Sequence, residues 1–373
     1  IWNEIVTRKM YLTGACGALN DGTSPDGTCY EPDSIQKVHQ SYGRPYQLPN
    51  STAHNETCAN IGNMLFNWRM LEVTGDAKYA ELVETCLYNS VLSGISLDGK
   101  KYFYTNPLRI SADLPYTLRW PKERTEYISC FCCPPNTLRT LCQAQNYAYT
   151  LGSEGIYCNL YGANTLTTNW RDKGEIALTQ KTAYPWEGNV RVEFDRVPRK
   201  AGVFSLFLRI PEWCEKAMLT VNGELVPVAA KANTYAEVKR TWKKGDVVEW
   251  VMDMSVRLLE AHPLAEEIRK QVVVKRGPLV VCLKSMDMTG GGSIDNVLIP
   301  ADIKLIPKKV TIEGSPVVAL EGKARLISSN SWEGILYRPV SFAGKTVDIR
   351  LIPYYAWGNR GKGEMTVWMP LGR

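Results

Sequence analysis

The feature that most restricts the fold of this 373-residue chain is a change of hydrophobic period part-way along it. Up to about residue 150 the apolar residues recur at helical spacing. In "NETCANIGNMLFNWRMLEVTGD" Ile61, Leu65, Trp68 and Leu71 share a face, and Thr74-Gly75-Asp76 stops one helix and caps the next. "AKYAELVETCLYNSVLSG" keeps Ala80, Val83, Leu87 and Val91 in register, with Gly94 as the expected C-terminal cap. "PPNTLRTLCQAQNYAYT" predicts a third helix, with proline in its first turn. From about 155 the period falls to two. "VFSLFLRIPEW" alternates like a half-buried strand, and Asn222-Gly223 in "LTVNGELV" is a two-residue hairpin signal. The chain is therefore expected to be an α + β multidomain protein. Its expected parts are a helical region over 1–150, a β-sandwich over 151–285 and a second β-sandwich region over 286–373.

The bulk numbers set some classes aside. The formal charge of +6 is modest, and acidic residues interleave with basic ones, which argues against nucleic acid as a partner. No apolar run reaches the length of a membrane span. The opening "IWNEIVTRKMYLTG" reads as the middle of an amphipathic helix with Ile1, Trp2, Ile5 and Val6 on one side, so the chain is expected to be a piece of something longer.

Eleven cysteines are unusual for a chain with an ordinary core, and three of them crowd into "SCFCCPPN". Thiolates bind zinc, and a carboxylate can join them. Glu56 and Cys58 in "HNETCANIG", with Cys132 and Cys133, would make a Glu-Cys-Cys-Cys set. Residues two apart do not share a helix face, so Glu56 and Cys58 can converge only at a helix start or in an extended stretch. Pro134 is expected to hold the adjacent cysteines in a non-helical backbone. A metal site, buried structural thiols and a disulfide all remain open on this evidence.

"YLTGACG", "YQLPNSTAHNETCANIGNMLFNWRMLEVTGD", "KKYFYTNPL" and "SCFCCPPN", with "RIPEWC", "AHPLAEE", "VKRGPLVVCL" and "IPYYAWGNRG" further on, resemble glycoside hydrolase family 127 and its relative family 146. These are the β-L-arabinofuranosidases and their kin. The resemblance covers nearly the whole chain and matches the C-terminal part of the family architecture. It implies part of an (α/α)6 helical toroid followed by jelly-roll-like β-sandwich domains. It also implies a missing N-terminal half of the toroid, an oligosaccharide or polysaccharide substrate and release of β-linked L-arabinofuranose with retention of configuration.

By the same resemblance Cys132 is the nucleophile. Zn2+ is held by Glu56, Cys58 and Cys133, with Cys132 also touching it. Glu84 and Tyr104 match residues that face the sugar. The family's acid/base glutamate lies sixteen residues before the metal glutamate, and that position here is Gln40, whose amide cannot donate a proton to a leaving group. Glu31, in the insertion "NDGTSPDGTCYEPDSIQK", is the preferred replacement, with Asp33 and His39 as others. The competing class is a zinc-stabilised, non-catalytic carbohydrate-binding scaffold. A thiol peptidase lacks a Cys-His arrangement, and His54 is expected to support the metal ligands by a hydrogen bond. Trp357 reads as structural. Zinc-thiolate chemistry is consistent with a bacterial periplasm or cytoplasm alike.

Overall fold

Helix α1 (Trp2–Arg8) buries only Ile5, and Ile1 is fully exposed, which corrects the expected apolar side. The longer α2 (Thr57–Thr74) stops at Gly75, whose φ of 73° lets its N–H close back on the Leu71 carbonyl. It buries two stripes. Ile61, Met64 and Leu71 pack in the core. Asn60, Asn63 and Asn67 recur at i, i+3 and i+7 and are also buried. Asn60 Oδ1 accepts from the Cys16 N–H, Asn63 Nδ2 donates to the Gly14 carbonyl, and Asn67 Oδ1 accepts from Trp2 Nε1. The polar stripe thus ties the preceding loop and α1 onto α2, which the apolar pattern alone could not reveal.

The structure, a computed structural model, describes residues 1–21, 39–112, 114, 117–228, 231–328, 334–339 and 343–372. Helix α3 (Ala77–Thr85) buries Ala80 and Val83, then runs into a π-turn over Cys86–Val91 and a 3-10 turn over Leu92–Gly94. The π-turn aims Asn89 at the strand pair beyond: its Nδ2 donates to the Pro278 carbonyl and its Oδ1 accepts from the Val280 N–H. Gly94 is no left-handed cap. A Cβ there would lie 2.6 Å from Thr57 Cγ2, so glycine serves the close approach of the two segments. Helix α4 (Cys133–Cys142) completes four α-helices among the described residues.

A six-stranded and a four-stranded sheet form the first β-module. Their inner faces share one core, with Val190, Val192, Phe194, Val248 and Trp250 from one sheet and Phe204, Leu206, Leu208 and Ile210 from the other. Asn222 and Gly223 both take positive φ between the paired strands Ala217–Val221 and Glu224–Val226, as the hairpin signal required. The strand Val203–Ile210 was expected to be half-buried. Its even positions do face the core, but Arg209 on the other face is also fully buried beneath α3.

The second β-module is one ten-stranded sheet, and alternation sorts its residues between two cores. Val272, Val274, Val281 and Leu283 pack within the module. Val273, Val280 and Cys282 pack with Tyr11, Phe103 and Leu108 of the helical region. The expected boundary at 285 is corrected: it falls inside the strand Leu279–Met288, whose partners lie on both sides of it in sequence. The changeover between sheets falls instead between the strands Val247–Met252 and Val256–Glu260. The helical region contributes a strand of its own, Arg109–Ile110, paired antiparallel with Met365–Thr366.

Candidate metal centre

Glu56 is the N-cap of α2, with extended dihedrals of −56° and 136°. It bridges Thr105, while the Thr57 N–H donates to the Tyr104 carbonyl at 2.9 Å and Thr57 Oγ1 donates to the Phe103 carbonyl at 2.9 Å. The backbone passes from extended to helical between Glu56 and Cys58, which lets side chains two residues apart point the same way. Cys132 and Cys133 reach them from the start of α4. Here the expected non-helical backbone is corrected: Cys132 has φ −70° and ψ −32°, and Cys133 is the first helical residue. Proline is tolerated in a first turn, where no preceding carbonyl needs its missing N–H.

One donor atom from each of Glu56, Cys58, Cys132 and Cys133 lies within 4.8 Å of all the others. Cys58 Sγ is 3.5 Å from Cys133 Sγ, and the Cys132 and Cys133 sulfurs are 3.9 Å apart. Glu56 Oε1 lies 3.4 Å from Cys132 Sγ and 3.7 Å from Cys133 Sγ. Four ligands around a tetrahedral zinc, with Zn–S near 2.3 Å, stand roughly 3.5–3.8 Å from one another, so the donor set fits that ion. None of these separations approaches the roughly 2.05 Å of a disulfide, and all ten described cysteines are free. The buried-thiol reading holds for Cys16, Cys86, Cys158, Cys214 and Cys282.

Electrostatics point the same way. Four acids this close cannot all ionise without a cation. Hydrogen bonding to Cys58, then burial, pushes the Cys133 thiol far up, and burial followed by Cys58 pushes Cys132 to about 12. Cys58 is drawn down to about 7 by its bonds to Cys133 and Asn136, against its own burial. Asn136 Nδ2 donates to Cys58 Sγ at 3.0 Å. Sequence reasoning missed Asn136, although a polar residue in the first turn after "CCPP" was the available signal. Of the three thiols, Cys133 is fully buried, Cys58 half-buried and Cys132 exposed.

Tyr104 borders the cluster. Its hydroxyl accepts from Gln40 Nε2 at 3.0 Å and lies 3.7 Å from Cys130 Sγ, and its ring stacks on Trp120 at 3.8 Å. Burial pushes its hydroxyl pKa far up. Trp120 and Cys130 were not singled out from sequence. A cavity of about 340 Å³ opens here, lined by Tyr104, Trp120, Tyr127 and Ile128. Gln40 is exposed and left-handed, with φ 59°. Glu31, Asp33 and the His39 side chain lie outside the described residues. His54 Nε2 is buried 3.9 Å from Glu56 Oε2, an ion-pair distance and longer than a hydrogen bond. Trp357 is buried and stacks on Phe103.

Glu84 is not brought to the cluster. It is fully buried, 2.6 Å from Arg209 Nη2, and accepts from the Tyr184 hydroxyl at 2.8 Å. Its carboxylate is committed to the first β-module, which is a correction to its expected place at the sugar. Burial raises its pKa against the pull of Arg209.

Fold and site together define a class: a helical module carrying a thiol–carboxylate cluster fit for a divalent metal, welded to two β-modules. Three successive family models match the chain. They are described as the β-L-arabinofuranosidase GH127 catalytic domain over 1–146, the GH127 middle domain over 155–254 and the glycoside hydrolase family 127 C-terminal domain over 256–370. The chain belongs to glycoside hydrolase family 127. It is 30% identical over 381 aligned residues to a non-reducing end β-L-arabinofuranosidase of Bifidobacterium longum subsp. longum, covering 98% of this chain and 54% of that protein. A solved glycoside hydrolase superposes with a TM-score of 0.98 at 88% identity, covering 100% of this chain and 61% of its own. A GH127 β-L-arabinofuranosidase from Geobacillus stearothermophilus T6 does so with a TM-score of 0.85 at 35% identity, covering 100% and 56%. The chain thus spans about half the length of the curated relative it matches.

Proposed function

We propose that this chain supplies the nucleophile and metal site of a retaining exo-glycoside hydrolase acting on β-linked L-arabinofuranose. The observation that carries the reading is the convergence of Glu56, Cys58, Cys132 and Cys133, with Cys132 the most exposed of the three thiols. Zn2+ fits this donor set, with Glu56, Cys58 and Cys133 as its holders; when bound it keeps neighbouring thiols deprotonated at neutral pH. The Cys132 sulfur attacks the anomeric carbon. A C–S bond forms as the glycosidic C–O bond breaks, and the departing oxygen takes a proton from a general acid. Water then attacks the same carbon and gives a proton to the conjugate base of that acid, the C–S bond breaks and the thiolate is restored, so two inversions give retention. Tyr104 and Trp120 wall the sugar side. Glu31 remains the proposed acid/base, and Gln40, beside Tyr104, orients without donating a mobile proton. The rest of an (α/α)6 toroid, supplied by a further stretch of helices, completes the pocket.

The amide at Gln40 is what favours the second reading, a zinc-stabilised carbohydrate-binding scaffold. Both readings are tested by comparing wild type with Cys132→Ala for zinc content and for labelling by a haloacetamide or cyclophellitol-type arabinofuranose probe. The hydrolase reading expects labelling to vanish with zinc kept at about one per chain. Zinc bound without labelling of the wild type would overturn it in favour of the scaffold.

A further inference from the structure

The cavity of about 340 Å³ beside Tyr104 lies next to the proposed nucleophile. Tyr104, whose hydroxyl is 3.7 Å from Cys130 Sγ, and Ser129, shortly before Cys132 in the chain, line it. So do Trp120 and Tyr127. One face of Trp120 is closed by its stack on Tyr104, at an interplanar angle of 17°. Tyr127, by contrast, is 75% exposed. An open aromatic ring in a concave wall offers a surface to the apolar face of a ligand.

Two charged groups line the same cavity, and only one of them is engaged. Glu123 lies 3.6 Å from Lys362 Nζ, so its charge is answered from outside the cavity. The Arg119 guanidinium is exposed and makes no hydrogen bond or ion pair with the described residues. The hydroxyls of Tyr127 and Ser129, both on exposed residues, are likewise without a partner among the described residues. The cavity therefore offers one uncommitted cation, two uncommitted hydroxyls and an aromatic ring, all within reach of solvent.

An exo-hydrolase holds both the sugar it cuts off and the unit that sugar leaves behind, and open space beside the nucleophile is where the second unit can sit. A free guanidinium fork grips a carboxylate through paired N–H groups. Free hydroxyls suit ring hydroxyls, which both give and take a hydrogen bond. A neutral sugar would use the ring and the hydroxyls but leave the guanidinium idle. We propose that this cavity receives the sugar on the leaving side of the cleaved bond, and that this sugar is a uronic acid, its ring against Tyr127 and its carboxylate on Arg119. The inference rests on the proposed hydrolase reading and deepens it by naming the class of the unit that leaves.

The test uses the full-length, zinc-loaded protein as wild type, Arg119→Ala and Tyr127→Ala. Calorimetric titration with trigalacturonate, with neutral xylotriose and with acetate is paired with inhibition of p-nitrophenyl β-L-arabinofuranoside hydrolysis by the same compounds. Trigalacturonate is expected to bind the wild type and to compete with the nitrophenyl substrate. Its affinity should fall about tenfold or more in Arg119→Ala. In Tyr127→Ala it should fall about fivefold. Failure of trigalacturonate to bind the wild type, or equal binding in wild type and both variants, would overturn the proposal. So would equal affinity for xylotriose or acetate, or trigalacturonate binding that leaves hydrolysis untouched. A wild type that binds trigalacturonate through Arg119 yet cleaves nothing would instead sink the hydrolase reading and keep the carboxylate site.

Discussion

Two groups of ionisable side chains hang on the paired helices α2 and α3, and they are built in opposite ways. At the start of α2 the thiol cluster gathers four acids and stands partly open to solvent. Along α3, Glu81 and Glu84 meet Arg209 in full burial, and Tyr184 and the Asn159 carbonyl, which accepts from Arg209 Nε at 2.5 Å, complete the network. One group carries its own counter-charge and the other does not. A group that holds its own counter-ion is a structural joint, finished by the chain itself. A cluster of one charge type is unfinished and asks for something from outside.

The comparison is broken most severely by removing the one cation of the joint. Arg209→Met leaves two buried carboxylates unpaired and is expected to lower stability by about 3–5 kcal/mol in urea unfolding, with metal content per folded chain unchanged. Equal loss of metal would show that the two groups are one unit. Cys133→Ala removes the fully buried donor of the cluster. If four donors share the about 10–16 kcal/mol of a structural zinc site, metal affinity should fall roughly a hundredfold or more, read by competition with a chromogenic chelator. Asn136→Ala keeps every donor and removes only the bond to Cys58, so its expected loss in the same assay is smaller, about tenfold.

The smallest effect concerns Lys275, beside the joint yet outside its pairing. Burial holds its folded-state pKa below the unfolded value. Below both values the folded protein carries the full penalty of a buried charge. Stability is regained as pH rises from the folded value to the unfolded value of about 10.4. Lys275→Met should therefore be more stable than wild type at neutral pH, and the gap should close as pH climbs through that window in thermal unfolding. A constant gap would mean that the amine titrates alike in the folded and unfolded protein.

The thiol cluster was legible in sequence because its members come in close pairs, Glu56 with Cys58 and Cys132 with Cys133. Short spacing at a turn signal already restricts geometry. The switch of period, the stop at Gly75 and the Asn222-Gly223 turn were legible for the same local reason. The joint was not. Glu81 and Arg209 are 128 positions apart, and each alone reads as an ordinary surface charge of a helix or a strand. Glu84 was misplaced on that account, since only the packing of α3 on the Val203–Ile210 strand shows which way it turns. The backbone at Cys132 was misjudged because Pro134 disfavours helix in general but not in a first turn. The boundary near 285 was misjudged because Leu279–Met288 pairs with strands on both sides of it in sequence, which local pattern does not reveal.

The small strand Arg109–Ile110, paired with Met365–Thr366, binds the beginning of the chain to its end. The same loop is held by the stack of Phe103 on Trp357 and by the Leu97 N–H donating to Asn359 Oδ1, and it carries Tyr104. A gene shortened after the helical region would still encode every residue of the thiol cluster but would lose the edge on which Tyr104 is hung. Recombination could exchange the last module only together with a loop cut to match. The three modules are in that sense a single heritable unit, and a change near the C-terminus can be felt at the thiols without touching them.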